Sequence, residues 1–233
     1  MKPLSWIVLL LTISTFSQTP GGGVTDIDGN RYNSVIIGTQ EWMKENLNVS
    51  KYSDGTIIPQ VTDPTAWVKL TTGAWCYYEN KTANGKIYGK LYNWFAVMGI
   101  HDTDPNTPNK VLAPSGWHIP SDAEWTTLTN FLGGDNIAGN NIKTSESKYY
   151  KYWSSIKTAL PNNNSGFTGL PAGSRNSSGG FGALNIYGNW WSSTDGEEYS
   201  QTAWVRNVSE SSEGILRSNY GWIDGLSIRC IKD

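Results

Sequence analysis

The pattern of hydrophobic and polar positions predicts a chain of many short strands and few helices. Residues 24–27 and 32–37 alternate around a turn at Asp28-Gly29, which predicts a β-hairpin. Further strand-like runs occupy residues 74–78, 204–208, 215–217 and 226–231. The last of these alternates apolar and polar residues cleanly, as a half-buried strand does. The pattern therefore favours an α+β fold with antiparallel pairing.

One segment carries a strong helix signal. Ser121 and Glu124 have the spacing of a capping box, in which the serine side chain and the glutamate side chain satisfy two backbone amides. Trp125, Leu128, Phe131 and Leu132 follow at helical spacing and predict a core-facing stripe that ends at Gly133-Gly134. We predict a helix here.

Weaker helix signals lie upstream. Asp63 and Pro64 predict a capped helical turn, and residues 91–98 predict a short apolar helix that ends at Gly99. Residues 136–152 are polar and predict irregular structure, whereas residues 153–160 fit no single class. The sequence thus predicts about two helices.

Residues 166–193 are rich in glycine and contain the adjacent pair Trp190 and Trp191. Glycine costs about 1 kcal/mol at each helical position relative to alanine, so this segment cannot form an amphipathic helix. It predicts glycine-cornered turns and short strands that bring large rings close to the backbone. A strand would place the two tryptophan rings on opposite faces.

The N-terminal residues 1–18 predict a secretory signal peptide. A single lysine, Lys2, precedes the apolar run 6–13 and a small polar stretch, and the apolar run is too short to span a bilayer. A buried N-terminal helix is the alternative interpretation. Residues 19–23 predict a flexible lead-in, and residues 24–233 predict a single domain.

Composition restricts the class of partner. Only 16% of the 233 residues are charged and the formal net charge is −2, so no basic surface suited to nucleic acid or an anionic membrane is expected. Tryptophan, at 12 residues, and glycine, at 25, are plentiful, which is typical of a rigid extracellular β-rich module. We therefore expect an exported protein that is periplasmic, extracellular or at the cell surface.

The chain has two cysteines, Cys76 and Cys230, both in strand-like runs. An even number of cysteines in an oxidising compartment favours a disulfide. The alternative is two buried free thiols. Zinc coordination by these cysteines is excluded because no further cysteine or histidine lies near them in sequence.

Few residues are suited to catalysis or metal binding. The chain has 2 histidines and lacks a nucleophile elbow, a zinc-protease motif and a phosphate-binding loop. Residues 26–30 resemble the start of a calcium loop, but no glutamate follows at the twelfth position. We expect no cofactor, with calcium left open, and solvated turns at the acidic loops 102–104 and 195–198.

Several phrases together resemble one family, the Fibrobacter succinogenes major paralogous domain. They are GTQEWMKENL at 38–47, GKLYNW at 89–94, PSGWHIPSDAEW at 114–125, GFTGLPAGSR at 166–175, WWSST at 190–194 and SIRCIKD at 227–233. The family is similar to the formylglycine-generating branch of C-type lectin-like folds. The resemblance implies a twisted antiparallel sheet with about two helices, a loop-rich face and neighbouring termini.

The chain departs from the functional motifs of those related folds. It has neither the Glu-Pro-Asn or Gln-Pro-Asp motif nor the Trp-Asn-Asp motif of calcium-dependent lectins. It also lacks the nearby cysteine pair of the formylglycine-generating enzyme. The resemblance therefore implies a fold and export, and it does not imply either chemistry.

The aromatic loops are the predicted ligand surface. An exposed ring of the tryptophan pair could stack on a sugar or anchor a protein contact, and the alternative is that both rings pack on the glycine-rich loop. The hypothetical ligand residues are Arg175, Asn189, Trp190, Trp191, Asp195 and Tyr199.

The sequence predicts an exported noncatalytic binding module that recognises a glycan or a surface protein. The alternative is a structural or accessory subunit of an outer-membrane or cell-surface protein complex. An enzyme is disfavoured because no nucleophile and base occur together.

Overall fold

The computed structural model describes residues 18–145, 153, 161–196 and 201–233, and within them the fold is α+β. The strands are β1 (Thr19–Pro20), β2 (Val24–Thr25), β3 (Arg31–Tyr32), β4 (Ser34–Ile37), β5 (Gln40–Met43), β6 (Trp75–Cys76), β7 (Leu91–Tyr92), β8 (Trp117–His118), β9 (Ser174–Arg175), β10 (Phe181–Gly182), β11 (Tyr187–Asp195), β12 (Thr202–Ser209), β13 (Leu216–Gly221) and β14 (Ile231–Lys232). The helices are α1 (Pro64–Val68), α2 (Thr82–Tyr88), α3 (Trp94–Val97), α4 (Asp122–Phe131) and α5 (Ala138–Ile142), with a 3₁₀ turn at Tyr78–Asn80. The predicted signal peptide, residues 1–18, lies outside the described residues except for Gln18.

A 5-stranded sheet has the order β1-β4-β5-β14-β8 and joins the first described strand to the last. β4 and β5 form a hairpin about Gly38, with Ser34 opposite Met43. The hairpin predicted around Asp28-Gly29 is confirmed by the antiparallel pairing of β2 with β3. Residues 19–23 are held by this sheet. Thr19 pairs with Ile36, and the Gly21 amide donates to the Ser34 carbonyl at 3.0 Å. The prediction of a flexible lead-in is therefore wrong, because the edge of β4 supplies a partner for these residues.

A 3-stranded sheet has the order β11-β12-β13. In its register Trp190 lies opposite Arg206 and Trp191 lies opposite Val205. One face packs on a hydrophobic cluster that includes Trp191, and the other face packs on a cluster that includes Trp190. Both faces of the sheet are thus covered at the tryptophan pair, which determines where the two rings lie.

Helix α4 confirms the capping-box prediction. The Glu124 amide donates to Ser121 Oγ at 3.3 Å, and the Ser121 amide donates to Glu124 Oε2 at 2.7 Å. Trp125 and Leu128 are buried as predicted, but Phe131 is 47% exposed. The Phe131 ring lies against Gly38, so it covers a hairpin turn at the surface and does not reach the core.

Elsewhere the elements are shorter than predicted or differ in type. Residues 91–98 divide into strand β7 and helix α3, because the Asn93 side chain caps the helix by accepting from the Ala96 amide. Of the predicted strand 226–231, Ile231 alone lies in β14, while Leu226 and Ser227 form isolated bridges to Tyr92 and Trp190. Helix α5 lies in a stretch for which irregular structure is predicted.

The two cysteines are free thiols, so the predicted disulfide is wrong. Cys76 packs with Trp67 and Leu91 in one hydrophobic cluster, and Cys230 packs with Met43 in another. Both thiols are fully buried. Burial raises the pKa of Cys76 to about 12, although Arg175 lowers it, and burial also raises the pKa of Cys230.

We expect both thiols to be unreactive in the folded protein and fully reactive after unfolding. Unfolding in guanidinium without any reductant should release two titratable thiols per chain, because neither sulfur is bonded. Alkylation followed by mass spectrometry measures this directly. If both cysteines stayed unmodified under those conditions, the chain would contain the disulfide.

His118 joins α4 to the C-terminal strand. Its Nδ1 lies 2.7 Å from Asp233 Oδ1, and its Nε2 lies 2.8 Å from Glu124 Oε1. Partial burial lowers the pKa of His118, but the bonds to the two carboxylates outweigh that effect and raise the pKa above 6.5. The carboxylates therefore favour the imidazolium in the folded chain.

A histidine whose folded pKa exceeds its unfolded value contributes stability below the unfolded pKa and loses it as pH rises through the folded pKa. We expect His118 to titrate above 6.5 in NMR spectra, and stability from this contact to fall as pH rises through that folded value. Asp233→Asn should move the His118 pKa downward. An unchanged pKa in that variant would contradict the assignment of the contact.

Within the described part of the chain, no helix combines the length and apolar character needed to cross a membrane.

Candidate functional site

Four of the predicted ligand residues lie in the interior. Arg175, Trp190 and Trp191 are fully buried, and Asn189 is nearly so. Asp195 is exposed at the end of β11, where its Oδ1 accepts from the Gly196 amide. Tyr199 lies outside the described residues. The predicted residues therefore do not form one exposed surface in the described structure.

Arg175 connects two loops. Its guanidinium donates to the carbonyls of Gly179, Val61 and Thr62 at 3.0, 2.7 and 3.0 Å. It also lies 4.4 Å from the centre of the Trp67 ring. Each of its three nitrogens donates to a backbone oxygen, so Arg175 stabilises the loops around it.

The tryptophan pair lies on opposite faces of β11, as the strand geometry predicts, and of the two alternatives for the pair the exposed ring is wrong, because both rings are buried. Trp190 Nε1 donates to Asn46 Oδ1 at 2.9 Å, and Trp191 Nε1 donates to the Tyr92 carbonyl at 2.8 Å. The physical reason is the covering of the sheet on both faces. Asn189 is equally internal, since its side chain bonds to Asn207 and to the Gly173 carbonyl.

A separate cavity of about 380 Å³, the polar pocket, opens beside the hairpin β4–β5. Its lining is dominated by amide and charged side chains and comprises Asn30, Arg31, Tyr32, Asn33, Lys44, Glu45, Asn46, Asn48, Gly85, Lys86, Ile87, Gly89, Thr168 and Leu170. The glycine-rich segment thus contributes two residues to a pocket that the sequence did not predict.

Asp26 positions the first wall of the polar pocket. Its Oδ1 accepts from the Asn30 amide at 2.9 Å, and its Oδ2 accepts from Asn30 Nδ2 at 2.8 Å and from the Tyr32 hydroxyl at 2.6 Å. The Tyr32 oxygen in turn accepts from the Asn48 amide at 2.9 Å. One buried carboxylate therefore orients residues on two neighbouring segments of the wall.

Asn46 and Arg229 hold the floor. Arg229 donates to the carbonyls of Met43 and Phe167 at 2.9 and 2.6 Å, and to Asn46 Oδ1 at 2.8 Å. Asn46 Oδ1 also accepts from Trp190 Nε1, so the indole helps to fix the orientation of the Asn46 side chain. These bonds join the segment that carries Lys44 and Asn46 to the segment that carries Thr168, so two walls of the pocket are tied to one buried cation.

The end of helix α2 forms the third wall. Asn46 Nδ2 donates to the Tyr88 carbonyl at 2.9 Å and so attaches this helix to the floor. Gly89 follows with φ of +76°, and a Cβ there would lie 2.9 Å from the Leu47 carbonyl oxygen. Only glycine fits this conformation and this close approach. The chain can therefore turn tightly from α2 into β7.

Lys90 lies behind the pocket and is almost fully buried. Its Nζ donates to the Asn48 carbonyl and, at 2.9 Å, to Ser50 Oγ, and lies 4.3 Å from the centre of the Trp75 ring. Burial lowers the pKa of Lys90 to about 8, although the charges of Asp28 and Asp26 raise it. The lysine orients the backbone at Asn48.

A larger cavity of about 560 Å³ lies along the exposed loop 100–109. Its acidic groups are engaged within the loop. Asp102 Oδ2 lies 3.3 Å from His101 Nε2, and Asp104 Oδ1 accepts from the Asn106 amide at 2.9 Å. A single loop and Thr71 line this cavity, so it has less structural support than the polar pocket.

The carboxylates of the loop 26–30 are also engaged. Both Asp26 oxygens accept from protein donors, and Asp28 accepts from the Ser50 amide and pairs with Lys51 at 3.1 Å. In the described chain no group of three or more His, Cys, Asp or Glu side chains is placed to hold a metal ion.

The sequence signal for the polar pocket lies in the hairpin register. The Lys44 amide donates to the Asn33 carbonyl at 2.8 Å, directly beyond the last pair of β4 and β5. The sequence predicts a hairpin around Asp28-Gly29 only, whereas a predicted pairing of residues 34–37 with 40–43 would have placed Asn33 beside Lys44. The remaining lining residues, at 85–89 and 168–170, reach the pocket through long-range packing, and no local sequence pattern reveals them.

Comparison with known families gives one match. A model of the Fibrobacter succinogenes major domain matches residues 35–232, which confirms the resemblance seen in the sequence. No curated protein and no solved structure matches the chain.

Proposed function

The chain belongs to the Fibrobacter succinogenes major domain family, and we propose that it is an exported noncatalytic module that binds a glycan in the polar pocket. Export rests on the signal peptide predicted at residues 1–18. The C-type lectin-like fold implied by the family resemblance is part of the same proposal. Under this proposal the protein binds a sugar unit in the polar pocket and does not bind it by stacking on an exposed aromatic ring.

The polar lining of the pocket is the observation that carries the proposal. Side-chain amides supply both donors and acceptors, which suits the hydroxyl groups of a sugar ring. A volume of about 380 Å³ lies at the small end of ligand pockets and fits one or two sugar units. Ile87 and Leu170 add apolar surface for the carbon face of the ring.

Binding is favoured over hydrolysis because one carboxylate, Glu45, lines the pocket among the described residues. Glycoside hydrolysis ordinarily uses two carboxylates on opposite sides of the bond that is cleaved. Glu45 is also occupied, since it accepts from the Asn33 amide at 2.8 Å and from Asn33 Nδ2 at 2.9 Å. The pocket therefore offers recognition groups without an acid and base pair.

Filling the pocket tests the proposal. Ile87 is half-buried in the wall, so Ile87→Trp should occupy the cavity while keeping the hydrogen bonds of the floor. The matched control is Val68→Trp, at an exposed position of α1 that does not line the pocket. Both variants and the parent protein would be applied to a glycan array. The proposal expects a saturable signal that Ile87→Trp abolishes and Val68→Trp keeps.

Two results would contradict this function. A blank array with the folded parent protein would remove the glycan as ligand. Equal binding by Ile87→Trp and the parent would place the ligand outside the polar pocket.

Exposed aliphatic side chains favour a second candidate, an accessory subunit of an envelope complex. Ile57 is 71% exposed and Val111 is 60% exposed, and their segments are neighbours because the Ser53 amide donates to the Val111 carbonyl. Ile27 lies beside Ser53 in the same region. Under this candidate, Ile57→Ser with Val111→Ser would lose a stoichiometric partner in a cross-linked pull-down from the native envelope, and Ile87→Trp would keep it.

A further inference from the structure

We infer that the ligand of the polar pocket carries an anionic group, either a sugar carboxylate or a sulfate or phosphate ester on a sugar. This inference rests on the proposed glycan function and adds the chemical class of the glycan. Three cationic side chains, Arg31, Lys44 and Lys86, line the pocket together with one carboxylate, Glu45. The whole chain has a net charge of −2, so the pocket is positive in a protein that is negative overall.

The cations of the pocket and Lys69, which follows α1, have no carboxylate partner, whereas other cations near the surface of the described chain are paired. Lys51, Lys81, Lys110 and Lys232 each pair with a carboxylate, at 3.1, 2.7, 2.5 and 3.0 Å. By contrast, the side chains of Arg31, Lys44 and Lys86 form no hydrogen bond or ion pair with any described residue. The pocket thus concentrates three positive charges that the described fold does not neutralise.

The single carboxylate does not cancel this charge locally. Both Glu45 oxygens accept hydrogen bonds from Asn33, which orients the carboxylate along the hairpin end. Glu45 forms no ion pair with Lys44 or Lys86 within the described structure. An anionic ligand would therefore find ammonium and guanidinium donors whose hydrogen bonds are still to be made.

The rest of the lining fits a sugar that carries the anion. The NH₂ groups of Asn30 and Asn33 already donate within the protein, so their side-chain oxygens are the groups that can accept from sugar hydroxyls. Charge-assisted bonds from lysine are the stronger contacts and would orient the ring. A neutral sugar would use the amides alone and leave the cations unpaired. An acidic peptide would satisfy the cations but would not need a row of amides.

The experiment is calorimetric titration with four probes: trigalacturonate, its methyl ester, a 6-sulfated galactose trisaccharide and a tetraglutamate peptide. We expect an anionic probe to bind at least tenfold more tightly than the neutral ester, and to weaken as salt rises because the charges are partly exposed. Preference for trigalacturonate or for the sulfated sugar identifies the source of the anion. Tighter binding of a tetraglutamate peptide than of either anionic sugar would overturn the glycan class.

Charge variants locate the effect. Lys44→Gln and Lys86→Gln should each weaken the anionic probe about tenfold, which equals about 1.4 kcal/mol. Glu45→Gln should strengthen it, because a negative charge leaves the pocket. Lys69→Gln is the matched control, since Lys69 is exposed on the C-terminal side of α1 and does not line the pocket. Thermal unfolding of each variant confirms that it is folded.

The outcomes separate this inference from the function on which it rests. Failure of every sugar to bind overturns both. Binding of neutral sugars that Ile87→Trp abolishes, with no preference for anions and no effect of the lysine variants, overturns the inference and leaves the function. If Lys69→Gln weakened binding of the anionic probe as much as the pocket variants do, the effect would come from the net charge of the protein. That result would also overturn the inference.

Discussion

Replacing Arg229 with methionine should lower the free energy of unfolding by at least about 3 kcal/mol. The substitution leaves the carbonyls of Met43 and Phe167 and part of the Asn46 side chain without their buried donor, and each such loss costs about 1–3 kcal/mol. Burial lowers the pKa of Arg229 to about 9, while the charge of Glu45 raises it, so the guanidinium remains protonated at neutral pH. Guanidinium unfolding monitored by tryptophan fluorescence measures the change.

The control is Arg31→Met, at an exposed arginine in the wall of the same pocket. Surface substitutions of this kind usually change stability by no more than about 0.5 kcal/mol. Arg31→Met should therefore remain near the parent in stability. A change below about 1 kcal/mol in Arg229→Met would show that the floor of the pocket does not depend on this cation.

The second large effect is expected at the tryptophan pair. Trp190→Ala and Trp191→Ala should each destabilise the protein by about 3–5 kcal/mol, because each removes a fully buried ring from a closely packed cluster. Trp190→Ala also removes one donor to Asn46. Chemical unfolding followed by circular dichroism is the appropriate measurement, since it does not depend on the deleted fluorophores.

Tyr187→Ala is the control for the tryptophan pair, because Tyr187 begins the same strand and is exposed. It should change stability much less than either tryptophan variant. If Trp191→Ala kept the parental stability and lost ligand binding, the ring would be a ligand contact, and its placement in the core would be wrong.

Four of the five buried cations of the described chain help to explain how so many short elements are held together. Arg175, Arg229, Lys90 and Lys143 all donate to backbone carbonyls; for Lys143 these belong to Ser209 and Ser212. Each also lies near an aromatic ring, such as Phe167 at 4.2 Å from Arg229. Buried carbonyls outside regular sheets need such donors. The sequence marked Arg175 for function, whereas its contacts are structural.

Local chemistry made α4 predictable, and long-range contact made α5 unpredictable. The capping box at Ser121 and Glu124 operates within one turn, so the sequence contains the whole signal. Helix α5 contains Gly139 and two asparagines, which are poor helix formers. It is held by tertiary contacts, including the Asn140 amide, which donates to the Glu213 carbonyl at 2.9 Å.

The alternation of the tryptophan pair was predictable, and its environment was not. A strand dictates opposite faces for Trp190 and Trp191, and this holds in β11. Whether a face meets solvent depends on elements distant in sequence, here α4 on one side and Tyr92 on the other. The polar pocket escaped prediction for the same reason, since its walls come from four separate segments.

Chemical-shift mapping of the bound glycan tests the central claim most directly. The sugar selected by the array would be titrated into ¹⁵N-labelled protein while the side-chain amides and indole N–H groups are followed. Ligand binding in the polar pocket predicts saturable shifts at the amides of Asn30, Asn33 and Asn48 and little change at the Trp191 indole. Shifts confined to residues 176–196, with those asparagine amides unmoved, would contradict it.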